Sequence, residues 1–181
     1  MGMIITTKDK YRKEVCKIWE ELGDTKKVKK ISKLNDIYKE HAFLQNELYK
    51  NSLLFLGVGA SNSKDKKGKI KNKYCDKEQY KRDGGYYEIQ YETKEGRDEY
   101  QYYKPMIKLA EQIKFDNWSN IDITLFRETN QKVLESFFQN SSLTNIMQKQ
   151  LNLATRMIKD VEPKIIIASN TLVRKIFRIK R

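Results

Sequence analysis

The fold of this chain is decided by the stretch Leu53-Leu54-Phe55-Leu56-Gly57-Val58-Gly59-Ala60-Ser61. Its first half is an uninterrupted apolar run, and its second half is a glycine-rich turn. An apolar run bounded by glycines predicts a strand that is buried on both faces, as in a parallel sheet. Such strands deliver their turns to the carboxyl edge of the sheet, where α/β proteins bind ligands. The turn is therefore the predicted functional centre.

Two further apolar runs, Ile121–Phe126 and Pro163–Asn170, have the same form, because each ends in a polar turn. Amphipathic helical spacing fills the intervals, from about Tyr102 to Lys114 and from Leu143 to Ile158. Three buried strands that alternate with helices predict an α/β fold with a parallel sheet covered by helices on both faces.

The length of 181 residues predicts a single domain, 1–181. Residues 1–50 read as a helical extension of two helices, the first ending at Gly23 and the second running through His41 to Leu48. The histidine falls on the apolar stripe of that helix, where a lone histidine is usually packed in the core. Residues 62–100 read as a long basic, tyrosine-rich loop or insertion.

The charge balance favours a polyanionic partner. Lysine and arginine outnumber the acids 37 to 24, for a net charge of +13. Nucleic acid is the first candidate, although an anionic membrane surface or a solubility device would give the same excess. No apolar run is long enough to span a bilayer, so we expect a cytoplasmic protein without a membrane partner. The two cysteines and one histidine predict no disulfide, no metal site and no cofactor.

Tyrosines are concentrated in one segment. Eight of the 11 lie at positions 74, 80, 86, 87, 91, 100, 102 and 103. Aromatic faces stack on unpaired bases while cations hold the phosphates between them, so the pattern favours a binder of single strands or flipped bases. The alternative is a mobile loop whose tyrosines cover the core, with a short hairpin around 86–91. The predicted contacts to the nucleic-acid backbone are Lys69, Lys71, Lys73, Arg82 and, after the second strand, Arg127.

The order of four segments resembles the uracil-DNA glycosylase superfamily. They are LLFLGVGAS (53–61), YYKPMIKLAEQI (102–113), IDITLFRETNQ (121–131) and EPKIIIASNTLVRKIF (162–177), so the resemblance covers roughly residues 50–178. It implies a three-layer αβα fold that binds an extruded base at the carboxyl edge of the sheet and cuts its N-glycosidic bond. The implied partner is DNA, either single-stranded or a duplex with a flipped base, and the implied target is uracil or a modified base.

Carried over to this chain, the resemblance implies that Gly57, Val58, Gly59, Ala60 and Ser61 approach the base and the sugar. Backbone N–H groups of this turn would stabilise negative charge on the departing base. Several branches of the superfamily have an acidic or amide side chain at the place of Gly59 to position water, and proline at the place of Ala60. The water-activating group would then come from another residue, for which the candidates are Asp65, Asp83 and Glu88.

The same resemblance implies a set of base-binding side chains. Tyr86 or Tyr87 would stack on the base, Thr124 or Asn130 would read its polar edge, and Asn170 would lie near the third turn. The asparagines have a second interpretation as ordinary helix caps.

A departure from the superfamily lies after Arg174, where a fourth strand and a His- or Ser-containing loop are expected and none follows. The sequence therefore leaves two functions open. One is a DNA glycosylase, and the other is a non-catalytic nucleic-acid- or nucleotide-binding module on the same scaffold.

Overall fold

Eight β-strands and five α-helices make up the described part of the chain. A computed structural model describes residues 3–24, 31, 34, 38, 42–59, 75–82, 85–92, 101–128, 130–168 and 170–178. In chain order the elements are β1 Ile4–Thr6, α1 Thr7–Asp24, β2 Ala42–Gln45, β3 Glu47–Tyr49, β4 Leu53–Gly57, β5 Cys75–Arg82, β6 Gly85–Glu92, α2 Lys104–Gln112, β7 Trp118–Asp122, α3 Gln131–Gln139, a 3-10 turn Ser141–Leu143, α4 Thr144–Val161, β8 Ile165–Ala168 and α5 Thr171–Ile176.

A parallel three-stranded sheet lies at the centre of the fold, in the order β7-β4-β8. Register pairs Leu53 with both Trp118 and Ile165, and it ends with Gly57 opposite Asp122. All five residues of β4 are buried, as the uninterrupted apolar run predicts for a middle strand. The predicted parallel sheet is confirmed, and the carboxyl ends of its three strands lie at one edge.

Helices cover both faces of this sheet. On one face Met106 of α2 shares an apolar cluster with Leu53 and Phe55. On the other face Leu54 and Leu56 join the main core, to which α1, α3, α4 and α5 contribute. Successive residues of β4 thus point to opposite layers, which confirms the mixed α/β class.

Two smaller sheets adjoin the central one. One has the order β2-β6-β5, in which β2 is parallel to β6 and β5 is antiparallel, and the other is the antiparallel pair of β1 and β3. The backbone N–H of Phe43 donates to the carbonyl of Leu125 at 3.0 Å, which joins β2 to the segment after β7. The carboxyl ends of β2 and β6, with Gln45 opposite Glu92, therefore lie near the edge where β7 ends.

The predicted second N-terminal helix is wrong for residues 42–49, which form β2 and β3. Leu44 and Leu48 fit helical spacing, but all four residues of β2 are buried, and they pair with β6. Tertiary pairing therefore overrides the local pattern. The first helix is confirmed as α1, whereas His41 lies outside the described residues.

The second strand of the central sheet begins and ends earlier than predicted. It is Trp118–Asp122, whereas the expected range was 121–126. Ile123 N and Thr124 N still donate to the carbonyls of Gly57 and Val58, at 3.0 and 2.9 Å, but the regular strand has ended. The polar side chain at the end of the strand is thus Asp122. The prediction of a long loop over 62–100 with a short hairpin around 86–91 is wrong for residues 75–82 and 85–92, which form the antiparallel strands β5 and β6, each eight residues long.

Candidate functional site

The predicted turn begins where β4 and β7 end together. Gly57 and Val58 are buried, and their carbonyls accept the hydrogen bonds from the segment after β7. Gly59 is held still more closely: a Cβ at this position would lie 2.7 Å from the Phe126 carbonyl oxygen and 2.9 Å from Thr124 Oγ1. Only glycine fits there without a shift of the backbone, so this packing explains why the position carries no acidic side chain.

Asp122 supplies a carboxyl group beside this turn. Its side chain is partly exposed, but its Oδ1 is buried and has no hydrogen-bond partner in the described part of the chain. Burial, together with the charge of nearby Glu92, raises the pKa of Asp122 to about 7. A carboxyl group that titrates near neutrality is able to exchange a proton at physiological pH, and perturbed groups of this kind cluster at functional sites.

Asn120 lies on the same face of β7 as Asp122, two residues earlier. It is 0% exposed, and neither its Oδ1 nor its Nδ2 finds a partner among the described residues. A buried amide without hydrogen bonds costs about 1–3 kcal/mol. Such groups in a native fold call for an explanation, and a ligand or ordered water that completes the bonds is one of them.

A hydrogen-bonded group from three separate segments borders Asp122. The hydroxyl of Tyr103 donates to Glu92 Oε2 at 2.6 Å, and Nε2 of Gln45 donates to the same oxygen at 2.7 Å. Gln45 Nε2 also lies 2.8 Å from the Tyr103 hydroxyl. Gln45 and Tyr103 are 4% and 3% exposed, and burial together with Glu92 raises the pKa of Tyr103 well above its usual value. Tyr103 is thus held as a neutral donor to a carboxylate.

Two asparagines that the sequence marks as base-binding candidates form helix caps. Asn130 Oδ1 accepts from Lys132 N at 3.0 Å at the start of α3, and Asn170 Oδ1 accepts from Val173 N at 2.9 Å at the start of α5. Both start at the carboxyl edge of the sheet. Thr124 is buried, and its hydroxyl donates to the Val58 carbonyl at 2.7 Å. These three side chains therefore have structural hydrogen bonds, and their predicted base contacts stay predictions.

Arg127 lies inside the protein, where it is only 5% exposed. Its guanidinium is 5.0 Å from the ring centroid of Phe43, and its Nη1 donates to Gln90 Oε1. A side chain in this position packs the interface between the two larger sheets and does not present its charge at the surface. We therefore do not include Arg127 in the proposed nucleic-acid contacts.

Several predicted site residues lie outside the described residues or have only their backbone described. Arg82 belongs to β5, and Tyr86 and Tyr87 belong to β6, but their side chains are not described. Outside the described residues altogether are Ala60, Ser61, Asp65, Lys69, Lys71, Lys73 and Asp83. Their predicted roles stay predictions. Glu88 is described on β6, and its Oε2 is buried.

The described members of the tyrosine group have mostly structural positions. Tyr91 and Tyr103 are buried, and Tyr80 is hydrogen-bonded to Glu78 and Arg12. Tyr102 is 42% exposed and contacts the ring of Tyr103 edge-on. Among the described tyrosines, the interpretation that they cover the core therefore accounts for these contacts.

Sequence reasoning missed four polar residues at or close to this edge: Gln45, Glu92, Asn120 and Asp122. One signal was present. Asn120 and Asp122 interrupt an apolar run at alternate positions, which places both on one face of a strand. Nothing local pointed to Gln45 and Glu92, because the pairing of β2 with β6 brings them together from different parts of the chain.

Two classes of site find no support within the described ranges. No group of three or more His, Cys, Asp or Glu residues there is arranged to hold a metal ion. None of the described helices combines the length and apolar character that crossing a membrane requires.

The chain was compared with known proteins in three ways. No protein-family model, no curated protein and no solved structure matches it.

Proposed function

We propose that this protein is a DNA glycosylase-like enzyme that binds a flipped nucleotide at the carboxyl edge of its central sheet and hydrolyses the N-glycosidic bond. The observation that carries the proposal is the pair of polar groups on one face of β7. Asp122, which pairs with Gly57, has a carboxyl group with a pKa of about 7. Asn120, which pairs with Phe55 one strand repeat earlier, has a buried amide without partners among the described residues.

The two side chains match the two requirements of the reaction. Cleavage of an N-glycosidic bond needs a group that manages a proton or a developing charge, and Asp122 is suited to this by its raised pKa. Recognition of a base needs a donor and an acceptor close together, and the amide of Asn120 has both without a partner among the described residues. The Tyr103–Glu92–Gln45 group borders the same place and keeps it polar.

DNA is the proposed partner because of the charge of the whole chain. A net charge of +13 attracts a polyanion, and the resemblance to the uracil-DNA glycosylase superfamily supports the same partner. Exposed lysines stand at the starts of the helices that leave this edge, namely Lys104 on α2 and Lys132 on α3. In this proposal they contact the phosphates that flank a nucleotide held at the edge.

The test is base release from synthetic DNA. Single-stranded and duplex oligonucleotides that contain uracil, hypoxanthine or only ordinary bases are incubated with the protein, and alkali then converts abasic sites to strand breaks. We expect breaks at an altered base with the wild-type protein and with Asp116→Asn, a control that changes an exposed carboxylate just before β7. We expect none with Asp122→Asn.

Folding of each variant is checked by circular dichroism, so that loss of activity is not confused with loss of structure. Failure of the folded wild-type protein to cut any of these substrates would contradict the glycosylase proposal. If the protein then still binds the oligonucleotides, and Asn120→Leu weakens that binding, the same edge is a binding module without catalysis.

A further inference from the structure

The two carboxyl groups at the sheet edge have opposite surroundings. Glu92 Oε2 accepts hydrogen bonds from Tyr103 and Gln45, both of which are buried and fixed in place. Two donors on one carboxylate oxygen stabilise its ionised form. Glu92 therefore has surroundings that favour a negative charge.

Asp122 has no such donors among the residues that the structure describes. Its Oδ1 is buried without a partner in the described ranges, and the groups that act on it from neighbouring elements are the negative Glu92 on β6 and neutral Tyr103 just before α2. Desolvation and a nearby like charge both favour the protonated form. When the surroundings of two neighbouring carboxyl groups favour different protonation states, the protonated group typically has a defined role in proton transfer.

A third group makes this more than an acidic cluster. The fully buried amide of Asn120 shares the face of Asp122, and within the described ranges both of its polar atoms lack hydrogen-bond partners. A strand repeat of two residues is about 6.6 Å, so a planar ligand that contacts Asp122 is of the right size to reach toward this amide. The cluster thus combines a proton donor with an unused hydrogen-bonding edge.

We infer that Asp122 is the general acid of the proposed reaction and that the substrate is a nucleotide with a purine-type base, whose ring nitrogen receives the proton as the base departs. This inference rests on the proposed function and narrows it. A purine-type base leaves readily once a ring nitrogen such as N7 is protonated. Uracil has no second ring nitrogen free in this way, because its N3 carries a hydrogen, and it leaves as an anion that needs hydrogen bonds more than a proton.

The step is balanced as follows. The bond between C1′ and the base nitrogen breaks, and its electron pair stays with the base. The carboxyl proton of Asp122 moves to the acceptor nitrogen, so the base leaves neutral and Asp122 becomes a carboxylate. A water molecule adds its oxygen to C1′ and gives its proton to that carboxylate, which restores the acid. The free base and DNA with an abasic site are the only products, and water is the only co-reactant consumed.

Tyr103 is a positioning residue in this scheme. Its hydroxyl donates to Glu92 and favours the ionised form of that carboxyl group. Burial, together with the charge of Glu92, favours the protonated form of Asp122. Tyr103→Phe removes a hydrogen bond to Glu92, so the apparent pKa values of the two interacting carboxyl groups should change. A merely structural tyrosine would change the stability of the protein and leave the pH dependence of the reaction where it was.

The experiment measures single-turnover release of hypoxanthine and of uracil from matched oligonucleotides, with the full chain, between about pH 5.5 and about pH 8.5. We expect hypoxanthine to be released at least about tenfold faster than uracil, with a rate that falls as pH rises through about 7, where Asp122 loses its proton. Asp122→Asn should lower the rate by about 100-fold or more, and Asp122→Glu should restore part of it. Tyr103→Phe should displace the midpoint of the profile.

Three results would overturn this inference alone: uracil released as fast as hypoxanthine, a rate independent of pH across this range, or Asp122→Asn within about threefold of wild type. Absence of any base release by the wild-type protein would overturn the proposed function along with it. Asp116→Asn, which removes an exposed carboxylate before the amino end of β7, should keep the wild-type rate and profile. Thermal unfolding of each variant shows whether a lost rate reflects lost structure.

Discussion

Gly57 and Asp122 are register partners at the last paired position of β4 and β7. Register partners in a parallel sheet point to the same face, so the carboxyl side chain of Asp122 stands beside a residue that has none. On that face the preceding pair is Phe55 and Asn120. On this face, the polar side chains of Asn120 and Asp122 therefore follow the apolar layer at the carboxyl end of the sheet, where the glycine turn begins.

The first prediction concerns the unpartnered amide of Asn120. Asn120→Leu replaces it with an apolar side chain of similar size, which should raise the free energy of unfolding by about 1–3 kcal/mol because a buried polar group without partners is removed. Base release or binding should be lost. Urea unfolding measures the first effect and the oligonucleotide assay the second.

The control is its neighbour on the strand. Ser119 is also fully buried, but its Oγ accepts from Tyr49 N at 2.9 Å and lies 3.0 Å from Ser52 Oγ. Ser119→Ala should therefore destabilise the protein by about 1–2 kcal/mol, since it leaves partners unsatisfied. A stabilised Asn120→Leu variant with full activity would argue against a ligand role for this amide.

The second prediction concerns the close packing of the turn. A Cβ in Gly59→Ala would approach the Phe126 carbonyl oxygen to 2.7 Å, so the backbone of the turn must move. We expect a loss of about 1–3 kcal/mol in the free energy of unfolding and a lower rate of base release. Chemical denaturation and the oligonucleotide assay check the two effects. An unchanged stability would show that the turn is looser than this packing implies.

The third prediction is a pH dependence of stability. The pKa of Asp122 is raised from 3.8 to about 7 in the folded protein, so its contribution is fully present below about pH 4 and is lost as the pH rises through about 7. Asp122→Asn removes this dependence. The free energy of unfolding of the variant, relative to that of the wild type, should therefore rise by about 2 kcal/mol between pH 5 and pH 8, a value discounted for partial exposure. Urea unfolding at the two pH values measures the gain. An equal difference at both would contradict the raised pKa.

The fourth prediction separates structural from nucleic-acid cations. Because Arg127 is buried against Phe43 and Gln90, Arg127→Gln should lower the free energy of unfolding by about 1–3 kcal/mol and leave the salt dependence of DNA binding unchanged. The exposed Lys132→Gln is the matched control and should leave stability within about 0.5 kcal/mol of wild type. If Arg127 contacted a phosphate, Arg127→Gln would instead reduce by about one the slope of the logarithm of the DNA-binding constant against the logarithm of the salt concentration.

Much of the central sheet could be predicted from the sequence because its signals are local. An apolar run such as Leu53–Leu56 indicates a buried strand, and the caps Asn130 and Asn170 lie where the helices after β7 and β8 begin. Residues 42–49 could not be predicted in this way, because their apolar spacing fits a helix as well as the observed strands. Pairing with β6, which is more than 40 residues away in the chain, decides between the two.

The candidate site was predictable only in part, for a similar reason. The edge of the sheet follows from the strand order, and the turn after Gly57 follows from its glycines. The polar group does not, because Gln45 and Glu92 are 47 residues apart in sequence and meet only through the pairing of β2 with β6. Asp122 could not be predicted as the end of its strand, because the predicted strand ends at residue 126 and the observed strand ends at residue 122.

The most direct test of the central claim is the side-chain amide resonance of Asn120 in an NMR titration with an oligonucleotide that carries a non-cleavable hypoxanthine nucleotide. Assignment follows from the loss of that resonance in Asn120→Leu. We predict that it shifts on binding, whereas the amide of Asn152 on the exposed surface of α4 does not. An Asn120 resonance that stays in place while DNA is bound elsewhere on the protein would contradict the claim that this edge of the sheet receives the base.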